Sequence, residues 1–128
     1  MVLGCEDVGV ASREQQLREA FGALERGDLD AVEAMFAPDA KWRAPDPEWD
    51  CLDRVQILRV MVENRAAGRL TGTIEQVLEP DEAHALVAFR LAGGDGLRWV
   101  VLSFGPDGLV REMKGFDERA AAEAYAGG

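Results

Sequence analysis

A chain of 128 residues that is 48% apolar and 30% charged has the size and balance of one independently folding domain, and this excludes general disorder and fibrous structure. Its net charge of -10, from 24 acids against 14 bases, repels nucleic-acid backbones and anionic membranes, so neither is an expected partner. No stretch approaches the roughly 18 consecutive apolar residues of a membrane span, and two cysteines, Cys5 and Cys51, make no disulfide framework; acidic excess and reduced thiols fit a cytoplasmic protein.

Residues 1–11 read as a flexible lead and 12–126 as a single domain. Ser12-Arg13-Glu14-Gln15 has the S-x-x-Q form of a capping box, and Leu17, Ala20, Phe21 and Leu24 then recur on one face, predicting a helix over about 13–26. Gly27 can adopt the left-handed conformation that ends it. Asp28 can cap a second helix that turns Leu29, Val32, Met35 and Phe36 inward and stops at Pro38, which gives a helical hairpin and then an extended piece over 40–45. Pro45 and Pro47 make the next stretch a loop. A third helix follows, with Leu52, Val55, Leu58, Met61 and Val62 on the side expected to face a sheet, and Arg54, Arg59 and Glu63 on the other.

From Arg69 the periodicity changes. Turn signals at Pro80-Asp81, Gly93-Gly94-Asp95-Gly96 and Gly105-Pro106-Asp107-Gly108 cut the remainder into four strand-length pieces, an antiparallel meander. Ala85, Val87, Phe89 and Leu91 alternate with His84, Leu86, Ala88 and Arg90, and the next strand is apolar on both sides, so both sheet faces are covered. Asp117 caps a terminal helical turn or two. The fold class is α+β.

Arg26-Gly27-Asp28-Leu29-Asp30, Met35-Phe36-Ala37-Pro38-Asp39-Ala40, Asp107-Gly108-Leu109-Val110 and Phe116-Asp117, in this order of elements, resemble the SnoaL-like branch of the nuclear transport factor 2-like superfamily. The resemblance implies a cone: a strongly curved antiparallel sheet wrapped around a long helix, with the N-terminal hairpin beside it and a pocket at the open end. It also implies a homodimer through the outer sheet face. Leu86, Ala88, Trp99 and Val101 fit the latter, because apolar area left bare costs roughly 25 cal/mol per Å²; the alternative cover is the terminal residues folding back over that face within one chain.

Relatives resembling ketosteroid isomerase carry a tyrosine and two acids as oxyanion donor and general base; matching places Ala20, Ala44 and Val100 at those positions. The acid of SnoaL-type polyketide cyclases also falls on Val100. Epoxide hydrolases of the limonene type place an arginine two residues before that acid, and Arg98 matches the arginine alone. The resemblance therefore leaves open whether the chain is an enzyme. Asp46, Asp117 and Arg98 remain as candidate catalytic residues, with Glu112 as a further acid of the last strand.

Arg98 reads either as a pocket cation for a carboxylate or enolate or as a strand-end residue reaching solvent. Trp42 is a flat wall or core filling. With Ala44, Trp49, Val87, Phe89, Val100, Leu102 and Met113 these residues would line a mainly apolar pocket, and small Ala20, Ala44 and Gly115 would leave it space. Trp49 lies with Asp46 and Asp50 in the proline-bearing loop near the expected mouth. His84 falls on the face opposite the apolar set, Cys51 reads as a small apolar packing residue, and neither a metal site nor a cofactor is implied. The expected function is binding of a hydrophobic small molecule. The alternatives are an isomerase- or cyclase-type enzyme acting on such a molecule and a non-catalytic dimerisation module.

Overall fold

A computed structural model describes residues 13–43, 50–66, 73–90 and 96–127. The expected N-terminal lead, the Ser12 cap, Ala44, Asp46, Trp49 and most of the Gly93–Gly96 turn lie outside the described residues.

Helix α1 (Arg13–Glu25) buries Leu17, Ala20, Ala23 and Leu24. Its end is set by Gly27, at φ +88°, which lets the Asp28 N–H return to the Ala23 carbonyl (2.9 Å) and the Gly27 N–H to that of Leu24 (3.0 Å). Arg65 donates to the free Glu25 carbonyl and closes this terminus from the third helix. The Asp28 carboxylate accepts the Asp30 N–H and starts α2 (Asp30–Met35), which drives Val32 into the core.

Strand β1 (Phe36–Arg43) begins earlier than the expected piece at 40–45 and takes in Pro38. Pro38 has no N–H to give a ladder; the β1 register shifts between Phe36 and Lys41, and Pro38 and Asp39 face solvent there. Cys51 bridges Trp42 in antiparallel fashion through both backbone bonds at 3.0 Å. Helix α3 (Arg54–Ala66) opens with Asp53 accepting the Gln56 N–H while the Gln56 side chain accepts the Leu52 N–H.

The expected inward face of α3 is corrected. Ile57 and Met61 are buried, with Leu58 and Val60 packed beside them, whereas Leu52, Val55 and Val62 stand 55%, 63% and 45% exposed. Apolar residues occupy positions 55, 57, 58, 60, 61 and 62, so every side of this helix carries some, and periodicity alone does not select the stripe that meets the sheet.

Strands β2 (Thr73–Asp81), β3 (His84–Arg90), β4 (Leu97–Phe104) and β5 (Val110–Phe116) form the expected antiparallel meander. The sheet order is β1-β5-β4-β3-β2, and β1 joins the edge parallel to β5. The β4–β5 turn needs Gly108 at φ +81° and closes with the Gly105 N–H on the Leu109 carbonyl (2.9 Å).

The curved sheet has two covered faces. On the concave side α1, α2 and α3 bring Leu17, Leu24, Val32, Ile57 and Met61 against Ala85, Val87, Leu102, Val110 and Met113. On the convex side the C-terminal helix α4 (Arg119–Gly127), longer than the expected turn or two, lays Ala122 and Ala126 on Leu86, Ala88, Trp99 and Val101. That packing corrects the argument for a dimer through this face: the chain's own terminal helix covers the apolar area assigned to a second subunit.

Candidate functional site

Strand pairing arranges the expected site residues in rows across the concave face. The innermost row runs Trp42, Met113, Leu102, Ala85; the next runs Gly115, Val100, Val87, Val77; the outermost runs Arg98, Phe89, Ile74. Exposure rises along this series. Met113, Leu102, Ala85 and Val87 are sealed in the core; Trp42, Gly115 and Val100 are half-buried, as is every member of the Arg98 row. Phe21 of α1 stands edge-on to Phe89, ring centroids 5.2 Å apart, and covers that side chain of the outermost row.

Arg98 and Asp117, expected as separate candidates, meet. Arg98 Nη1 donates to Asp117 Oδ1 at 3.0 Å, with 40% of the arginine side chain and 92% of the aspartate side chain exposed. Gly115 makes this placement possible, since a Cβ there would lie 2.6 Å from Arg98 Nη2 and 3.1 Å from Nε. The guanidinium therefore packs over Gly115 while it still meets solvent beside the exposed Asp117. The sequence signal was available: an isolated glycine inside a strand marks a close approach. Phe21 was legible as a helix residue facing inward; its place over Phe89 depends on how α1 crosses the sheet.

Glu112 leaves the list of candidate acids. It projects from the convex face, where it accepts hydrogen bonds from the Tyr125 hydroxyl and from Arg43 Nε (3.2 Å), while Arg43 Nη1 reaches Asp50 at 3.2 Å. Hydrogen bonds donated to Asp50 and then to Glu112 raise the Arg43 pKa further and keep it charged. Burial first, and then the bond to Glu112, push the Tyr125 phenol up to about 12. This cluster fastens α4 to the sheet and is turned away from the concave face.

His84 sits at the β2–β3 turn with Nδ1 2.9 Å from Asp81, and this hydrogen bond, followed by that from the Ala83 N–H, lowers the Asp81 pKa. Cys51 is buried and unlinked; desolvation raises its pKa, with the charges of Asp50 and Asp53 adding to the effect, so it stays a thiol in a packing role. Among the described residues no group of histidine, cysteine and acid side chains is disposed to hold a metal ion, and no helix is long and apolar enough to cross a membrane. A separate shallow groove lies between α1, α2 and the β4–β5 turn, floored by Ala20, Met35, Phe104 and Leu109.

A curved, unclosed sheet with helices packed inside and aromatic side chains at its open end defines the cone architecture of the nuclear transport factor 2-like superfamily. The sequence matches the SnoaL-like domain profile over residues 17–117, and the chain belongs to that family. No functionally curated protein matches it. Among solved structures, a SnoaL-like protein of unknown function from Burkholderia thailandensis is 20% identical with a TM-score of 0.67, the match covering 84% of this chain and 97% of that one. A protein from Kribbella flavida provisionally named a ketosteroid isomerase is 24% identical with a TM-score of 0.65, over 81% and 76%. The epoxide hydrolase/cyclase-like enzyme SalBIII, which acts in pyran ring formation in the polyether salinomycin, is 21% identical with a TM-score of 0.64, over 84% and 92%. At these identities the likeness is one of fold.

Proposed function

We propose that this single domain, spanning 12–126, is a cytoplasmic small-molecule-binding protein whose ligand lies on the concave face at the open end, against Trp42, Phe89, Val100 and Phe21. One observation carries the reading. On that face the sealed Met113, Leu102, Ala85 and Val87 are flanked by half-buried Trp42, Val100, Phe89 and Phe21, the profile of a wall awaiting an apolar occupant. The expectation of a mainly apolar pocket is kept on the same ground, and the buried, unlinked Cys51 fits the compartment. Val100→Trp tests it: the bulkier indole on the concave face should abolish binding of apolar ligands found by thermal-shift screening. Unchanged binding by this variant would remove the site from the concave face.

The Arg98–Asp117 pair favours a second reading, an isomerase- or cyclase-type enzyme, because it sets a carboxylate beside a cation at the mouth. Asp117→Asn would then abolish turnover without weakening ligand binding. As for assembly, a homodimer is proposed with its interface moved to the exposed Leu52, Val55 and Val62 of the α3 region, the large apolar side chains that this fold leaves uncovered there.

A further inference from the structure

We propose that Arg98 is an anion subsite, and that the ligand of the concave face is an apolar molecule carrying a terminal carboxylate. The inference rests on the concave face being the binding site and adds to it the chemistry of the ligand's polar end.

Arg98 occupies the outermost row beside Phe89, one row beyond Val100 and Gly115. A strand-borne arginine ordinarily lifts its charge into water along an extended stem. Here the glycine opposite Val100 opens the floor, and the guanidinium lies down on it, at distances that a methyl group on residue 115 would violate. The cation is thereby brought to the edge of the apolar wall formed by Val100, Phe89 and Phe21. Its partner holds it in place without consuming it. Asp117 is 92% exposed, and an ion pair to so hydrated a carboxylate contributes little. A ligand carboxylate that arrives with an apolar body seated on the wall meets the same guanidinium in a drier setting, where a charge-assisted and forked hydrogen bond is stronger. Asp117 then acts as a stand-in that keeps Arg98 oriented when the face is empty and yields when an anion arrives. The chain's overall acidity makes this local cation the feature that selects for an anion.

The test uses a matched pair of probes, 4-phenylbutyrate and 4-phenylbutyramide, titrated calorimetrically into the full chain and three variants. The wild type should bind the carboxylate at least about tenfold more tightly than the amide. Arg98→Gln should erase that preference while leaving amide affinity within about twofold, and Asp117→Asn should tighten the carboxylate severalfold without moving the amide. Val100→Trp should weaken both probes. If amide and carboxylate bind the wild type equally and Val100→Trp weakens both, the concave site stands and the anion subsite is overturned. If the preference survives Arg98→Gln, the anion is recognised elsewhere and the proposal is likewise overturned. Failure of both probes to bind overturns the subsite and the concave-face reading together. Thermal unfolding of each variant confirms that a lost preference is not lost structure.

Discussion

Tyr125 is the one tyrosine of the sequence, so its ionisation can be followed without ambiguity. Held to about 12 by burial and by Glu112, the phenol should remain neutral well past pH 10, and absorbance titration near 295 nm should place its midpoint close to 12 in the native protein. The sign of the linkage follows. A folded-state pKa above the unfolded value of roughly 10 stabilises the fold fully below pH 10, and that contribution disappears as the pH rises from 10 through 12. Tyr125→Phe removes the hydrogen bond to Glu112 and should cost about 1 kcal/mol in urea unfolding at neutral pH, less if water replaces the hydroxyl. At this scale the sequence was partly legible. It supplied Arg98, Asp117, Phe89 and Val100 as candidates, and alternation with Met113 already turns Glu112 to the other face; that Arg98 and Asp117 meet was not legible, because it depends on the register between β4 and β5.

At the scale of the element, α3 separates what pattern can and cannot decide. Its existence was plain but its start was not: Asp50 was the cap the sequence suggested, whereas Asp53 with Gln56 supplies it; Asp53→Ala should lower stability by about 1 kcal/mol. Its buried stripe was not plain, since apolar side chains surround it: of the expected inward set, Met61 and Leu58 face the core, whereas Leu52, Val55 and Val62 face outward. A pair of substitutions checks the corrected orientation. Ile57→Ala should cost about 2–5 kcal/mol and Val55→Ala under about 0.5 kcal/mol, as read from denaturant midpoints; equal costs would contradict the helix orientation described above. The end of α1 was the easiest element boundary to read, because only a residue tolerant of positive φ fits at position 27. Gly27→Ala should destabilise by about 1 kcal/mol or more, with Arg65 crowded as well.

At the scale of the whole molecule the two-faced sheet was legible as a need for cover on both sides, and the identity of the second cover was not. A run such as Leu86, Ala88, Trp99 and Val101 states that water must be excluded without stating whether another chain or a later segment does it. The terminal helix does it with alanines, whose small side chains let its backbone lie close to the strands. Removing residues 119–128 should bare that face and drive the chain into soluble oligomers or precipitate, seen by size-exclusion chromatography with light scattering. The proposed homodimer predicts a different outcome for Val55→Glu with Val62→Glu: a folded monomer from a dimeric parent, whereas a parent that is already monomeric would end that proposal.

The edge strand β1 is completed only by β5, and the side chains that clasp across this seam, Arg43 and Glu112, stand 69 residues apart in the chain. During synthesis at roughly 5–20 residues per second, the helical hairpin and β1 leave the ribosome seconds before their partner strand exists. Until then Phe36, Ala37 and Ala40, all sealed in the finished structure, have the helices of the chain to pack on but no neighbouring strand of the sheet. Loop closure over that distance is entropically slow, so docking of β1 belongs to the last stage of folding, and a nascent chain stalled before Val110 should be more open to proteolysis at its N-terminal half than the released protein.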